Sequence, residues 1–309
     1  MTTGAHALVT GGAGFIGSHL TRALLAKGRQ VTVLDNLSVG RRETVPDGAR
    51  FVHGDLRDRA AVTDALAGVD CVFHLAAQVT IRGSFDRFYE DLDTNVMGTA
   101  QLLRALDPSR VKWFTLASSM AVYADAPSPA AIAESHPTVP LSPYGVGKLA
   151  AEGVARQILE ARGIPFSAVR YFNTFGPGQT YTPYVGVITI FVTRLLRGEG
   201  ITIFGDGAQE RDFVHVDDIV AGTAATPGRP PGTFNLGTGR GTSLNQLADM
   251  LIDRLAPGQR PAYAPAQAGE LRYSVADITA ARHALAYLPT RTLQHDLDQV
   301  IASVRAGGT

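Results

Sequence analysis

Tyr144 and Lys148 lie four residues apart in Ser142-Pro143-Tyr144-Gly145-Val146-Gly147-Lys148. On a helix, positions i and i+4 share one face, so the ammonium would stand beside the phenol. A positive charge there favours phenolate and draws the tyrosine down from its ordinary pKa of about 10. Such a pair is a usable general base near neutral pH. A solvated surface pair is the plainer alternative for so short a motif. The run Ala117-Ser118-Ser119-Met120-Ala121-Val122-Tyr123 argues against it. It lies at the C-terminal end of strand-like sequence, where open α/β sheets place their ligands.

A second constellation binds rather than reacts. Gly11-Gly12-Ala13-Gly14-Phe15-Ile16-Gly17 follows the first strand-like run and opens the first helical one. Gly11, Gly14 and Gly17 permit a tight turn, close approach of backbone to a pyrophosphate and close helix-on-sheet packing. The N–H groups and partial positive charge of a helix N-terminus then meet the phosphates. Asp35 ends the second strand about 20 residues on, where a carboxylate accepts from both ribose hydroxyls and repels a 2′-phosphate. Despite Arg41 and Arg42 just beyond it, this selects NAD over NADP. Asn36 follows in the same wall. Asp55 and Leu56, after the third strand, are placed to contact adenine, although Asp55 also reads as a helix N-cap.

The elements that must position these groups alternate. Strand candidates fall at 5–10, 30–35, 49–53, 71–75, 111–118 and 166–171, with helix-period segments at 14–27, 59–67, 85–106 and 144–162. That alternation predicts an α/β fold, a Rossmann-type doubly wound parallel sheet covered on both faces. After Tyr171 the pattern is less regular. Short strands are predicted at 201–204, 213–216 and 233–235, and helices at 186–197, 217–225, 243–255 and 293–305. The reading is a dinucleotide-binding domain over 1–173, with a return segment near 212–238, and a smaller C-terminal α/β substrate-binding lobe over 174–309.

Composition narrows the class. A chain of 309 residues, 45% hydrophobic and 18% charged, suits a two-lobed enzyme and is not a disordered chain. With zero formal net charge, nothing favours nucleic acid or an anionic membrane. The lone Cys71 forbids an internal disulfide and reads as a buried strand residue. No apolar run approaches the roughly 20 residues of a membrane span. Structure begins close to Met1, so no signal peptide is expected and the expected location is the cytoplasm. No metal is expected.

Taken together, the glycine turn, the serine run and Tyr144/Lys148 resemble the extended short-chain dehydrogenase/reductase family, in its nucleotide-sugar epimerase/dehydratase branch. The resemblance runs the length of the chain. It includes His74-Leu75-Ala76-Ala77, Asn95-Val96-Met97-Gly98-Thr99, Arg170-Tyr171-Phe172-Asn173, Gly205-Asp206-Gly207 and Arg211-Asp212-Phe213-Val214-His215-Val216-Asp217-Asp218. It implies that Tyr144 takes a proton from a sugar hydroxyl as hydride passes to NAD. Ser119 would hydrogen-bond the same oxygen, and Lys148 would bind the nicotinamide ribose. Ala76 and Ala77 would line the cofactor's path and Asn95 would sit near it. Gln78, Val79 and Thr80 would face the sugar, while Asn173 and Arg211 would hold the nucleotide diphosphate. The segments 85–106 and 144–162 would pair with their copies in a homodimer.

Within that branch, dehydratases resemble a pattern with Asp-Glu where Met120 and Ala121 stand, and decarboxylases one with Glu at Ala121. Neither residue here exchanges a proton. The resemblance therefore implies a 4-epimerase acting on a UDP-sugar of the glucose/galactose kind through a transient 4-ketone. A UDP-glucuronate or other nucleotide-sugar 4-epimerase, a dehydratase or reductase of the same fold, and a non-catalytic nucleotide-sensing protein are the alternatives. Two departures stand out. Gln267 occupies the place of a diphosphate arginine, three residues before the ribose ligand Glu270, with Arg272 as a substitute. No arginine stands in Gly176-Pro177-Gly178-Gln179-Thr180-Tyr181 to hold a sugar carboxylate, which favours a neutral hexose.

Overall fold

A computed structural model describes residues 5–126, 128–182, 186–266, 269 and 271–307. The first half alternates β1 (His6–Thr10), α1 (Phe15–Ala26), β2 (Gln30–Asp35), β3 (Arg50–His53), α2 (Arg59–Ala65), β4 (Cys71–His74), α3 (Phe88–Leu92), α4 (Thr99–Ala105), β5 (Trp113–Ser119), α5 (Pro143–Ala161) and β6 (Phe166–Tyr171). The second half runs β7 (Asn173–Phe175), α6 (Val187–Leu196), β8 (Thr202–Phe204), β9 (Glu210–His215), α7 (Val216–Ala225) and β10 (Gly232–Leu236). It closes with β11 (Gly241–Ser243), α8 (Leu244–Leu255), β12 (Ala262–Ala264), β13 (Tyr273–Ser274), α9 (Thr279–Leu285) and α10 (Leu293–Ala306).

Seven parallel strands form the main sheet in the order β10-β6-β5-β4-β1-β2-β3. This is the Rossmann-type α/β fold. The strands are apolar on both faces because both faces are covered. Leu8, Val72 and Phe114 pack with Leu102, Ala151 and Ala155 from α4 and α5. Their neighbours Ala7, Val9, Cys71 and Phe73 point the other way, against Leu20 and Leu24 of α1 and Val216 and Val220 of α7. The order of connections reverses between β1 and β4, which opens a crevice at their C-terminal ends. Glycine turn and serine run both end there.

Four differences from the sequence pattern have physical causes. The segment 85–106 is not one helix: a π-helical turn, Asp93–Gly98, separates α3 from α4. Asn95 sits in that widened turn with its side chain turned inward, and such turns concentrate at functional sites. β9 starts at Glu210, earlier than the apolar pattern indicates, because a charged side chain is satisfied inside it. Asp212 accepts from the N–H groups of Thr238, Gly239 and Ala276 and from the Thr238 hydroxyl. Of the five strands of two or three residues, only β8 stands in the pattern; β7, β11, β12 and β13 do not, being too short to show a period. Finally, α9 returns to the main domain, where Ala281 and Leu285 pack with Leu236 of β10.

His74 ends β4 beneath the crevice. One ring nitrogen bonds Thr10 Oγ1 at 2.7 Å and the other Thr99 Oγ1 at 2.8 Å. Burial keeps the ring neutral and pushes its pKa down to about 3. The unfolded chain takes up this proton near the ordinary 6.5. Its stabilising contribution is therefore complete above pH 6.5 and is lost as pH falls toward 3. Urea unfolding at pH 5 should show about 2 kcal/mol less stability from this ring than at pH 7. A His74 resonance that titrates above pH 5 by NMR would contradict this.

Candidate active site

The crevice continues into a cleft of about 920 Å³ between the main sheet and the second half of the chain. At its floor the turn after β1 is held open by glycine. Gly11 has φ +71°, and a Cβ there would lie 2.8 Å from the Ala76 nitrogen. A Cβ on Gly17 would lie 2.1 Å from the Gly11 carbonyl oxygen. The cap residue of α1 is Gly14, which offers no side chain to the first-turn N–H groups, and Phe15, Ile16 and Gly17 line the cleft. Ala76 is fixed against the turn by its own N–H, donated to Thr10 Oγ1 at 3.1 Å. A backbone cradle at an uncapped helix N-terminus fits a pyrophosphate.

Asp35, Asn36, Asp55 and Leu56 form the next wall. Asp35 accepts from the N–H of Ala13 at 3.0 Å and of Leu37 at 2.8 Å, which fixes its carboxylate at the strand end. Asp55 accepts from Asn36 at 2.8 Å and from Arg57 Nε at 2.7 Å, and Arg57 holds its carboxyl well below the usual range. It is not the N-cap of α2. Asp58 is, accepting from Ala60 N–H at 2.8 Å. Arg42 lies 4.8 Å over the Phe51 ring, while Arg41 lines the cleft. These groups fit the ribose and adenine end of NAD.

At the other end, Ser119, Tyr144 and Lys148 converge. Ser119 is the last residue of β5, and its hydroxyl accepts from Ala121 N–H at 3.2 Å. Ser142 caps α5 through Gly145 N–H at 3.1 Å, and Pro143 occupies the first turn, so Tyr144 enters the helix at a fixed angle. The Tyr144 N–H is itself donated to Ser84 Oγ at 3.1 Å. Only 7% of Tyr144 and 5% of Lys148 is exposed.

The electrostatics correct one sequence expectation. Burial pushes the Tyr144 phenol up to about 12; a hydrogen bond with Ser119 opposes this and the charge of Asp91 adds to it. Lys148 is itself brought down to about 8 by burial, against the pull of Glu152 and Asp91. The protein alone thus keeps the phenol protonated, because desolvation of the anion outweighs what the Ser119 hydrogen bond gives back. A further positive charge in the cleft, such as oxidised nicotinamide, acts on this phenol in the opposite sense.

Ala76, Ala77, Gln78, Val79, Thr80, Asn173 and Arg211 all line the cleft. Asn95 does not. Its carbonyl oxygen accepts from Gln78 N–H at 2.8 Å, and its amide donates to the Gln78 carbonyl at 3.1 Å and to Asp91 at 3.0 Å. It braces the loop that carries Gln78 and stands behind the cleft wall. Glu270 and Gln267 lie outside the described residues. Arg272 forks onto Asp206 at 2.8 and 3.1 Å and is not among the residues that line the cleft.

Sequence reasoning missed two features. Arg82 also lines the cleft, with its guanidinium 4.9 Å over the Phe204 ring. No spacing announces it. The other is Glu152, one helical turn beyond Lys148, which the i, i+4 rule applied once more would have found.

The sequence profile of the NAD dependent epimerase/dehydratase family matches residues 7–237. The UDP-glucose 4-epimerase of Mycolicibacterium smegmatis is 36% identical over 96% of this chain and 98% of its own. The fold superimposes on the UDP-glucose 4-epimerase of Thermotoga maritima, solved with UDP-glucose, with a TM-score of 0.93 and 34% identity over 98% of this chain and 99% of that one. It also superimposes on MoeE5, solved with UDP-glucuronic acid and NAD, with a TM-score of 0.87 and 37% identity over 98% and 100% of the two chains. With the glycine cradle, the fixed Asp35 and the Ser119/Tyr144/Lys148 convergence in one cleft, this chain belongs to the NAD dependent epimerase/dehydratase family.

Proposed function

We propose that the protein is a nucleotide-sugar 4-epimerase acting on a UDP-hexose of the glucose/galactose kind with NAD as a recycled cofactor. One observation carries the reading. Ser119 and Tyr144 meet at the end of the dinucleotide cleft, while the positions beside Ser119, Met120 and Ala121, hold no group that exchanges a proton. Elimination of water or of carbon dioxide needs such a group; oxidation and reduction at one carbon does not.

In the proposed reaction Tyr144 accepts the proton of the sugar C4 hydroxyl as hydride leaves C4. Ser119 holds the same oxygen by hydrogen bond. The resulting C4 ketone turns in the cleft and is reduced on its other face, and Tyr144 returns the proton. NAD held by the glycine cradle and Asp35 would supply both the hydride acceptor and the hydride donor, so no net redox change would remain. Lys148 holds the nicotinamide ribose and supplies positive charge near the phenol. Asn173 and Arg211, with Glu270, hold the nucleotide, and Gln78 faces the sugar. The main sheet with its return segment at 212–238 carries the cofactor, and 174–309 carries the specificity.

The lysine sets a pH dependence. Its pKa is lowered to about 8, and the charged form is the useful one. Turnover should therefore hold below pH 8 and decline as pH rises through it; a kcat profile flat to pH 9.5 would remove the charge from the mechanism.

Incubation with UDP-glucose, UDP-galactose, UDP-glucuronate and UDP-N-acetylhexosamines tests the reaction, with products read by NMR. Interconversion of the two hexoses is the expected result. Only 6-deoxy-4-keto or decarboxylated products would overturn it. Arg82 in the cleft and the likeness to MoeE5 favour a second reading, a UDP-uronate 4-epimerase, which the glucuronate arm decides. We also propose that the enzyme works in the cytoplasm as a homodimer through the α3–α5 face, where Phe88, Tyr89, Met97 and Val146 are exposed. Among the described residues no helix is long and apolar enough to cross a membrane.

A further inference from the structure

Glu152 is as buried as Lys148, one turn away on α5, yet the chemistry above does not use it. Its carboxylate meets three donors. The Ser118 hydroxyl donates to Oε1; Arg170 Nε donates to the same oxygen at 3.0 Å, and Arg170 Nη2 to Oε2 at 2.7 Å. Ser118 and Arg170 are cross-strand partners on β5 and β6, and each immediately precedes a residue that lines the cleft, Ser119 and Tyr171. The Arg170 guanidinium lies 4.7 Å over the Tyr123 ring, whose hydroxyl donates to Asn235 on β10 at 2.6 Å. One polar chain thus runs from the catalytic helix across three neighbouring strands, through apolar surroundings that include Val169, Phe172 and Phe234. A buried ion pair of this kind adds little stability over apolar packing of the same volume, so what it contributes is fixed geometry and a fixed charge.

We propose that Glu152 is a positioning residue for the catalytic centre. Through Ser118 and Arg170 it fixes the end of β5, and with it Ser119, against the helix that carries Tyr144 and Lys148, and its negative charge holds the Lys148 ammonium one turn away. The assignment rests on the reading of Tyr144 and Lys148 as the working pair. Among the described residues, Glu152 on its own helix, Asp91 from α3 and His74 from β4 interact electrostatically with Lys148, and Tyr144 stands one turn before it on α5. Burial keeps His74 neutral, and Asp91 is engaged by Asn95. Glu152 opposes the desolvation of Lys148 more strongly than Asp91 does.

Glu152→Gln keeps the shape and removes the charge. It should lower kcat about tenfold with KM little changed, and move the alkaline limb of kcat down by about one pH unit. The pH dependence of NADH binding, read by fluorescence without any sugar, should move with it. Glu152→Asp, charged but shorter, should restore the limb while kcat stays low. Ser118→Ala, which leaves charge and ion pair in place, should lower kcat several-fold and leave the limb unmoved. A Glu152→Gln protein that melts earlier but keeps both the limb and kcat would reduce Glu152 to a brace and overturn the proposal. If that variant does not fold, full kcat in Ser118→Ala overturns it instead. The NADH titration stands even if no nucleotide sugar turns over, so failure of the reaction assignment would be seen separately.

Discussion

Replacing Tyr144 with phenylalanine should lower kcat about a thousandfold, within the range for loss of a general acid–base group, while the protein still carries NAD. The two side chains share a volume, and the buried phenol is neutral, pushed up to about 12, so the fold loses one hydroxyl and no charge. The cofactor's anchors, Gly11 to Gly17 and Asp35, come from β1, α1 and β2 and touch nothing that changes. KM should move only a few-fold, because the proton transfer matters in the transition state more than in the bound complex. Steady-state rates with UDP-glucose and the absorbance of the purified protein check both halves. Turnover near the wild-type rate would assign the base elsewhere; loss of cofactor would show that Tyr144 acts in binding.

How much of this was legible beforehand depends on the length scale of the signal. The six strands of the first half and the helices α1, α2 and α5 could be read because each buries a face at a fixed period, and Leu8 and Val9 pack on opposite faces as alternation requires; 85–106 was legible as helical but not as α3, a π-helical turn and α4. Ser119, Tyr144 and Lys148 were legible as a pattern, and the turn at Gly11 as a local conformation. The short strands around β9 were not. Each is held by side-chain and backbone bonds from distant segments, as Asp212 is by Thr238, Gly239 and Ala276. Asn95 illustrates the same limit. Its residue type and position point to the cofactor, but both ends of its amide are engaged by the Gln78 backbone, which no local pattern specifies.

The protonation state of Tyr144 was the least legible property. Helix geometry gives the neighbour, Lys148, and predicts a depressed phenol pKa. Burial acts on both groups at once: it raises the phenol to about 12 and lowers the amine to about 8. Desolvation is a property of the assembled cleft, to which β5, α5 and the loop after β4 all contribute, so it cannot be read from a spacing. A site whose base is protonated until positive charge enters the cleft is one whose acid–base chemistry waits on its cofactor. This matches the continuous cleft, in which the glycine cradle and Tyr144 are walls of one cavity.

Gly17→Ala is expected to abolish that arrangement from the cofactor end. The added Cβ would lie 2.1 Å from the Gly11 carbonyl oxygen and 2.8 Å from the Gly12 Cα, both backbone atoms of the turn itself. Neither can swing aside as a side chain would. Either α1 moves off β1 or the turn opens, and both displace the N–H groups that the phosphates need. Overpacking of this kind costs about 3 kcal/mol, and NAD affinity should drop at least about a hundredfold, since each tenfold is about 1.4 kcal/mol. The purified variant should carry no cofactor and melt earlier than the wild type. Gly28→Ala, at the far end of α1, is the control. Its φ of +74° disfavours alanine, yet nothing lies within 4 Å of the new Cβ. It should cost about 1 kcal/mol in backbone strain and leave NAD bound. If Gly17→Ala retains cofactor as well as Gly28→Ala does, close approach of helix to turn is not what builds the site, and the phosphates are held by side chains instead.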